Sequence, residues 1–253
     1  MIDIVQSVDR ALTILELLSE HIDGLGITEI SSKIDLHKST VHRLLGTLIY
    51  KGFVIQDNNT KEYKISLKLY ELGIVKIASV DILGASKPYT KALMDSLNEV
   101  VHLVIRDNND IIYIDKVEAD NRIRMASTIG KRRPLYCTSV GKAMLAFMSD
   151  EEIEKVWNNS NIEKLTDKTI VDFNKFKEEL KKVKENNYAE DDEENELGVR
   201  CIGAPIFNQN GDVEGAISIS GPTFRFKKER VGEISKEVIK YAKLISKELG
   251  YMG

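Results

Sequence analysis

From Val41 onward, Leu44, Leu45, Leu48 and Ile49 fall at i+3, i+4, i+7 and i+8. That spacing predicts a helix with one continuous buried face. Its opposite face shows Lys38, Ser39, Thr40, His42, Arg43 and Thr47, and no carboxylate occurs between Lys38 and Lys51. Ser39 sits where this helix would be capped, and Gly52 ends it. Two shorter helices are predicted before it. Val8, Leu12, Leu15 and Leu18 mark the first, about Ser7 to His21. Thr28 caps a second over Glu29 to Ile34, and a tight turn through Asp35, Leu36 and His37 leads into the third. Two β-type runs follow, Phe53 to Gln56 and Glu62 to Ser66, across an Asp57-Asn58-Asn59-Thr60 hairpin turn. Three helices, a short turn before the third and a hairpin after it make a winged helix-turn-helix.

Charge supports the same reading once it is taken by region. The whole chain of 253 residues has net charge −4, which by itself argues against a polyanionic partner. Residues 1–32 carry Arg10 against six carboxylates. Residues 33–68 carry seven Lys or Arg against three carboxylates, a local +4. A third helix fits the major groove of B-DNA with its N-terminal polar residues at base edges. Arg43 would fork onto a guanine, Lys38, Ser39, Thr40 and His42 would bond phosphate or base, and Lys61 and Lys64 of the hairpin would reach flanking phosphate. Thr28, at the start of the second helix, joins that DNA-contacting set. The alternative is a helical module that packs on protein.

Residues 67–84 read as a connector. Leu67, Leu69, Leu72, Ile74, Val75 and Ile77 crowd a helix of about Leu67 to Ser79 on more than one face, so it needs two partners, such as its own domain and a second subunit. From residue 85 the pattern is α+β. A helix spans Pro88 to Glu99, and strands run Val100 to Arg106, Ile111 to Val117 and Ile123 to Ile129. Helices follow over Gly141 to Phe147, from a Ser149 capping box to Trp157, and over Phe173 to Glu185. A hairpin joins Cys201–Phe207 to Val213–Ser220 across Asn210-Gly211, and a helix of about Lys228 to Leu249 closes the chain. The expected domains are 1–66, 67–84 and 85–253. Basic residues recur at Arg122, Arg124, Lys131, Arg132 and Arg133, and an acidic run from Glu190 to Glu196 reads as a solvated loop.

Several function classes fall away. No apolar run reaches the ~18–20 residues of a membrane span, and residues 1–10 lack a signal-peptide pattern. Two cysteines in a chain this long fit a reducing cytoplasm. Gly141-Lys142 resembles a phosphate loop, but Tyr136 stands where that motif needs glycine and Ala143 where it needs Ser or Thr. Cys137, Cys201 and His102 match no zinc spacing, so neither metal nor cofactor is expected. A Cys201 nucleophile would have only His102 as base outside the first 80 residues, and the chain is not expected to be an enzyme. A binding pocket remains. Val199 and Cys201, and Ser218 and Ser220, alternate at step two on a strand and its hairpin partner, so each pair points to one face. Small polar groups there suit a small polar ligand, or else a satisfied core.

Three stretches carry a family resemblance over the whole chain. They are Leu36-His-Lys-Ser-Thr-Val-His-Arg-Leu-Leu45 with Gly52-Phe53, Pro134-Leu-Tyr-Cys-Thr-Ser-Val-Gly-Lys-Ala143, and Asp191 to Cys201 with Ala216 to Pro222. The chain resembles the IclR family of bacterial transcriptional regulators. The resemblance implies a winged helix, a linker helix and a GAF-like α/β effector domain. It also implies dimers, often paired into tetramers, on palindromic operators in double-stranded DNA. Family members usually repress operons for small carboxylic or sugar acids. The effector pocket would use Met125, Ser139, Val140, Asp191, Val199, Cys201, Ser218 and Ser220, with N–H groups at Ser139 and Val140 holding a carboxylate and Asp191 a hydroxyl. Ser139 stands where a glycine would leave the backbone more open. The 134–143 stretch looks closest to the sugar-acid branch, such as regulators of 2-keto-3-deoxygluconate use.

Overall fold

The computed structural model describes residues 4–78, 81–121 and 125–253, which form two compact units, Met1–Ser79 and Val80–Gly253. The first unit contains α1 (Gln6–Ser19), α2 (Ile27–Lys33), α3 (Lys38–Tyr50), the hairpin β1 (Val54–Gln56) and β2 (Tyr63–Ile65), and α4 (Lys68–Ala78). Ile14 and Leu18 of α1, Ile30 of α2, and Val41, Leu45 and Leu48 of α3 bury against Leu25, Val54 and Tyr63. The expected helices are present, but two caps differ. Gly26, not Thr28, precedes α2. Its N–H donates to the Glu29 carboxylate at 2.9 Å, so Glu29 does the capping and Thr28 lies inside the first turn. For α3 the cap position is His37, whose carbonyl accepts from both Thr40 and Val41 N–H, and Ser39 is already helical. The left-handed backbone of Asp35 makes the turn tight enough for that early start. Ile49 lies at the rim of the α3 face and is 39% exposed.

The second unit is built on a six-stranded antiparallel sheet in the order β5-β4-β3-β8-β7-β6. The strands are β3 (Val100–Asp107), β4 (Asp110–Val117), β5 (Arg132–Pro134), β6 (Ala189–Asp192), β7 (Val199–Phe207) and β8 (Val213–Pro222). The period-two pattern sorts their side chains to two faces. Val101, Leu103, Ile202, Ala204, Ile217 and Ile219 face a layer formed by α5 (Asp81–Leu97) and α9 (Val231–Glu248). The other face carries α6 (Ser139–Leu145), α7 (Asp150–Asn159) and α8 (Phe173–Asn186), with Met144, Val156, Phe176 and Leu180 in its core. Thr138, Ser149 and Asp172 cap these helices, each side chain accepting a backbone N–H from the first turn.

Three expectations change here. The helix expected from Pro88 begins seven residues earlier, at Asp81, and so runs through the anticipated 84/85 boundary. Proline removes only the bond to the carbonyl of Gly84, and Ile82 is fully buried upstream of it. The strand expected at Ile123 to Ile129 lies partly outside the described residues. The rest of it, Met125 to Ile129, forms no strand. The chain instead reaches β4 after Gly130, whose φ of +84° turns it into β5. The acidic run is not a plain loop, because its first half is the edge strand β6, paired in register with β7.

Two glycines seat α6 on the sheet. A Cβ on Gly203 would lie 2.8 Å from Ser139 C and Val140 N, and one on Gly141 would lie 2.6 Å from Leu135 Cα. Backbone cannot yield at those distances. Gly203→Ala is therefore expected to destabilise the second unit by about 1–3 kcal/mol. Gly232→Ala, in the first turn of α9 with nothing within 4 Å, should be neutral or stabilising by up to about 1 kcal/mol. Chemical denaturation of both variants checks the contrast, and equal stabilities would refute the close approach.

Candidate functional site

The first unit presents a polar, cationic surface on α3 and the hairpin. Lys38, Ser39, His42, Arg43 and Thr47 are exposed opposite the buried Val41, Leu45 and Leu48, and Thr40 is half-buried. Arg43, Thr40 and Thr47 border a cleft of about 550 Å³ shared with Val8, Arg10 and Leu12 of α1. Lys61 takes a left-handed backbone at the hairpin tip, where the Asp57 carboxylate accepts N–H bonds from Asn59 and Thr60. Those bonds hold Asp57 below the usual carboxylate range. The stem of Lys64 crosses Gly24. Thr28 is exposed on α2. Among the described residues, Lys38, Arg43, Lys61 and Lys64 make no ion pair.

In the second unit, cross-strand partners put several expected effector residues on one sheet face. Asp191 pairs with Cys201, Cys201 with Ser220, and Ser218 with both Gly203 and His102. The start of α6 lies over Gly203, so Ser139 and Val140 sit above this floor. Their N–H groups belong to the first helical turn, where no intrahelical acceptor exists. Val199 shares the parity of Cys201 and pairs with Pro222 at the end of the strand. Met125 enters by its backbone: Lys116 Nζ donates to the carbonyls of Met125 at 2.8 Å and Ser127 at 2.7 Å. Arg122 and Arg124 lie outside the described residues.

Two members of the floor, His102 and Tyr113, were invisible in the one-dimensional pattern or carried another meaning there. His102 is buried, and desolvation followed by the Lys116 charge pushes its imidazole down to about 3, leaving it neutral. Its ring packs on Tyr113 with centroids 5.0 Å apart. Tyr113 keeps its proton, chiefly through burial. Cys201 does not pair with His102, because β8 lies between their strands. Burial and then the Asp191 carboxylate push the Cys201 thiol up, so a thiolate nucleophile is absent. Apolar neighbours made His102 look like part of a buried run, and only its alternation with Val104 on β3 could have flagged it.

Most carboxylates of the acidic run are engaged within the unit, and Glu196 is exposed. Lys142 is fully buried and bonds the Glu194 carboxylate, with Glu179 at 3.8 Å. Burial alone would push the ammonium down, but these carboxylates hold it up and charged. This use excludes the phosphate-loop role weighed for Gly141-Lys142. Arg200 engages Glu190 at 3.0 Å and also Asp192. Lys168 engages Asp192 at 3.2 Å and Glu193 at 3.0 Å. Asp191 is buried, accepts N–H bonds from Glu194 at 2.8 Å and Asn195 at 3.3 Å, and is raised to about 7, chiefly by desolvation.

The family description "Bacterial transcriptional regulator IclR C-terminal" matches residues 75–247, and "IclR helix-turn-helix domain" matches residues 7–58. The chain belongs to the IclR family of bacterial transcriptional regulators. It is 36% identical to the HTH-type transcriptional regulator KdgR of Escherichia coli, over 98% of this chain and 94% of that one. Identity to the E. coli transcriptional repressor IclR is 34%, over 98% and 91%. The crystal structure of Thermotoga maritima IclR superposes with a TM-score of 0.84 at 32% identity, covering 98% of this chain and 100% of that one. Membership in the IclR family makes the chain a DNA-binding regulator and not an enzyme, and its affinity for the KdgR branch matches the reading of the 134–143 stretch. Among the described residues, no helix is long and apolar enough to cross a membrane.

Two measurements test the charges of this site. Removing one partner of the buried pair, as in Glu194→Gln, should cost about 3–5 kcal/mol, whereas Lys142→Met combined with Glu194→Leu should recover most of it. Equal losses in both variants would show that packing, not charge, dominates. Asp191 binds its proton more tightly when folded than its ordinary 3.8 allows. Its contribution to stability is therefore full below about pH 4 and is lost as pH rises through about 7. Asp191→Asn should flatten that part of the stability-against-pH curve, and an unaltered slope would contradict the assignment.

Proposed function

We propose that this IclR-family regulator is a cytoplasmic repressor that binds a palindromic operator as a homodimer, or a tetramer of paired dimers, and responds to a small carboxylate or sugar acid. The observation that carries the DNA reading is the carboxylate-free outer face of α3, with Arg43 at its centre and no ion pair holding it. A polyanion supplies the charge that this face lacks. In this reading Arg43 reads a guanine, Lys38, Ser39, Thr40 and His42 bond phosphate or base edge, Thr28 meets the backbone at the start of α2, and Lys61 and Lys64 bind flanking phosphate.

The effector would lie on the floor formed by Asp191, Cys201, Ser218 and Ser220, beneath the α6 N–H groups of Ser139 and Val140, with Val199 and Met125 at its edges. The resemblance of the 134–143 stretch to the sugar-acid branch suggests a sugar acid such as 2-keto-3-deoxygluconate. Residues 67–84 would carry the response between domains 1–66 and 85–253. Leu67, Leu72 and Val75 are 78%, 51% and 71% exposed, and this apolar surface supports a helix that packs on a second subunit. Ligand would shift the population between operator-competent and incompetent dimers.

Arg43→Ala is expected to weaken specific operator binding by about 1–3 kcal/mol and to relax sequence preference, while Lys64→Ala weakens binding uniformly and lowers the salt slope by about 1. Fluorescence anisotropy with the chain's own promoter, run against random duplex over a salt series, reads both. Unchanged preference in Arg43→Ala removes that residue from base readout. Salt-independent binding would favour a protein partner instead.

A further inference from the structure

The hairpin between β1 and β2 closes on a strained lysine. Asp57 N–H donates to the Glu62 carbonyl and Lys61 N–H to the Asp57 carbonyl, both at 2.9 Å. These bonds enclose a short loop, residues 58–61, and its last residue, Lys61, has a φ of +64°. Glycine and asparagine take that left-handed backbone readily, and a lysine does not. Among the described residues, six non-glycine residues have positive φ. Four of them are Asn or Asp, and the other two are Lys61 and Glu193. The Glu193 carboxylate is used inside the protein, where it pairs with Lys168 at 3.0 Å. The Lys61 ammonium is exposed and has no ion-pair partner among the described residues. Neighbours on both sides maintain the strain. Asp57 Oδ1 accepts N–H bonds from Asn59 at 2.8 Å and Thr60 at 3.1 Å, and Gln56 Nε2 donates to the Lys61 carbonyl at 3.0 Å. A local turn rule broken with no gain inside the fold points to a use outside it.

We propose that Asp57 and Gln56 are positioning residues: they hold the hairpin tip closed so that Lys61, at a position where asparagine would be more stable, meets a DNA phosphate with its backbone already ordered. This inference rests on the phosphate reading of the hairpin above. A tip ordered before binding loses less conformational freedom on the duplex. The same need accounts for a carboxylate on a surface that faces a polyanion. Asp57 repels phosphate, yet its Oδ1 is engaged by the turn, and Lys64 and Lys61 lie near enough to oppose its charge.

Charge and shape predict opposite outcomes for Asp57→Ala, and the full-length protein on its own promoter duplex separates them. Loss of a carboxylate alone would tighten binding to DNA. The expected result is instead about threefold weaker binding, with Gln56→Ala weaker in the same direction. Asp57→Asn, which loses the charge but keeps the Oδ1 acceptor, should bind at least as tightly as the wild type. An Asp57→Ala variant that binds as tightly as the wild type, or more tightly, overturns the proposal. Amide exchange and a salt series form the second arm. Lys61→Asn should slow exchange of the α3 amides about threefold by relieving the backbone, and should lower the salt slope by about 1. Lys61→Ala should lower the slope equally, with no slower exchange. If Lys61→Asn exchanges no more slowly than the wild type, the strain is refuted whatever happens on DNA. Slower exchange with an unchanged slope leaves the strain in place but removes the phosphate contact, and the hairpin reading then fails together with the proposal.

Discussion

A lysine ammonium with no exposed surface requires a carboxylate beside it, and the second unit is organised around meeting that need. Lys142 projects from α6, and Glu194 comes from the turn between β6 and β7, so their pairing fixes the helix to the edge of the sheet. Thr166 donates its hydroxyl to the Glu193 carbonyl and Thr169 to the Glu194 carbonyl, both at 2.6 Å. The backbone of the same turn donates to Asp191, which orients that carboxyl toward the floor. Gly203 then lets the start of α6 come down to contact distance. Roof, edge and floor of the candidate effector site are thus set by one buried ion pair and one missing side chain.

The charge distribution follows the same division between units. A net charge of −4 says little about partners, because most of the acidic run is neutralised within the second unit by Lys142, Lys168 and Arg200. The cations of the first unit are not treated in this way. Lys38, Arg43 and Lys61 are exposed and Lys64 is half-buried, and among the described residues none of them has an ion-pair partner. Internal pairing in one unit and open cations in the other are what a chain needs if one half senses and the other reads DNA.

Much of this was legible in the sequence wherever a period or a turn signal repeated. The 3.6-residue stripe of α3, the Asp57 to Thr60 hairpin and the Asn210-Gly211 hairpin all formed close to their expected bounds. What failed depended on partners distant in sequence. The run 190–192 becomes a strand only because β7 offers an edge and Arg200 and Lys168 offset its charge. Residues Met125 to Thr128 carry strand-like composition but are drawn off by Lys116 and His102. Pro88 looked like a helix start because local rules cannot see that Ile82 is buried a turn and a half earlier. In the candidate site, the step-two serines and Cys201 were visible as a pattern. The meeting of His102 with Tyr113 and Ser127 emerges only when strands and a loop distant in sequence are side by side.

The central claim is that occupancy of the floor beneath α6 alters the grip of α3 on DNA. It is tested most directly by measuring operator affinity with and without 2-keto-3-deoxygluconate in the wild type and in Ser218→Ala. The account predicts that ligand changes wild-type operator affinity at least tenfold, about 1.4 kcal/mol, and that the variant binds operator equally well but loses the response. An undiminished response in Ser218→Ala would contradict it.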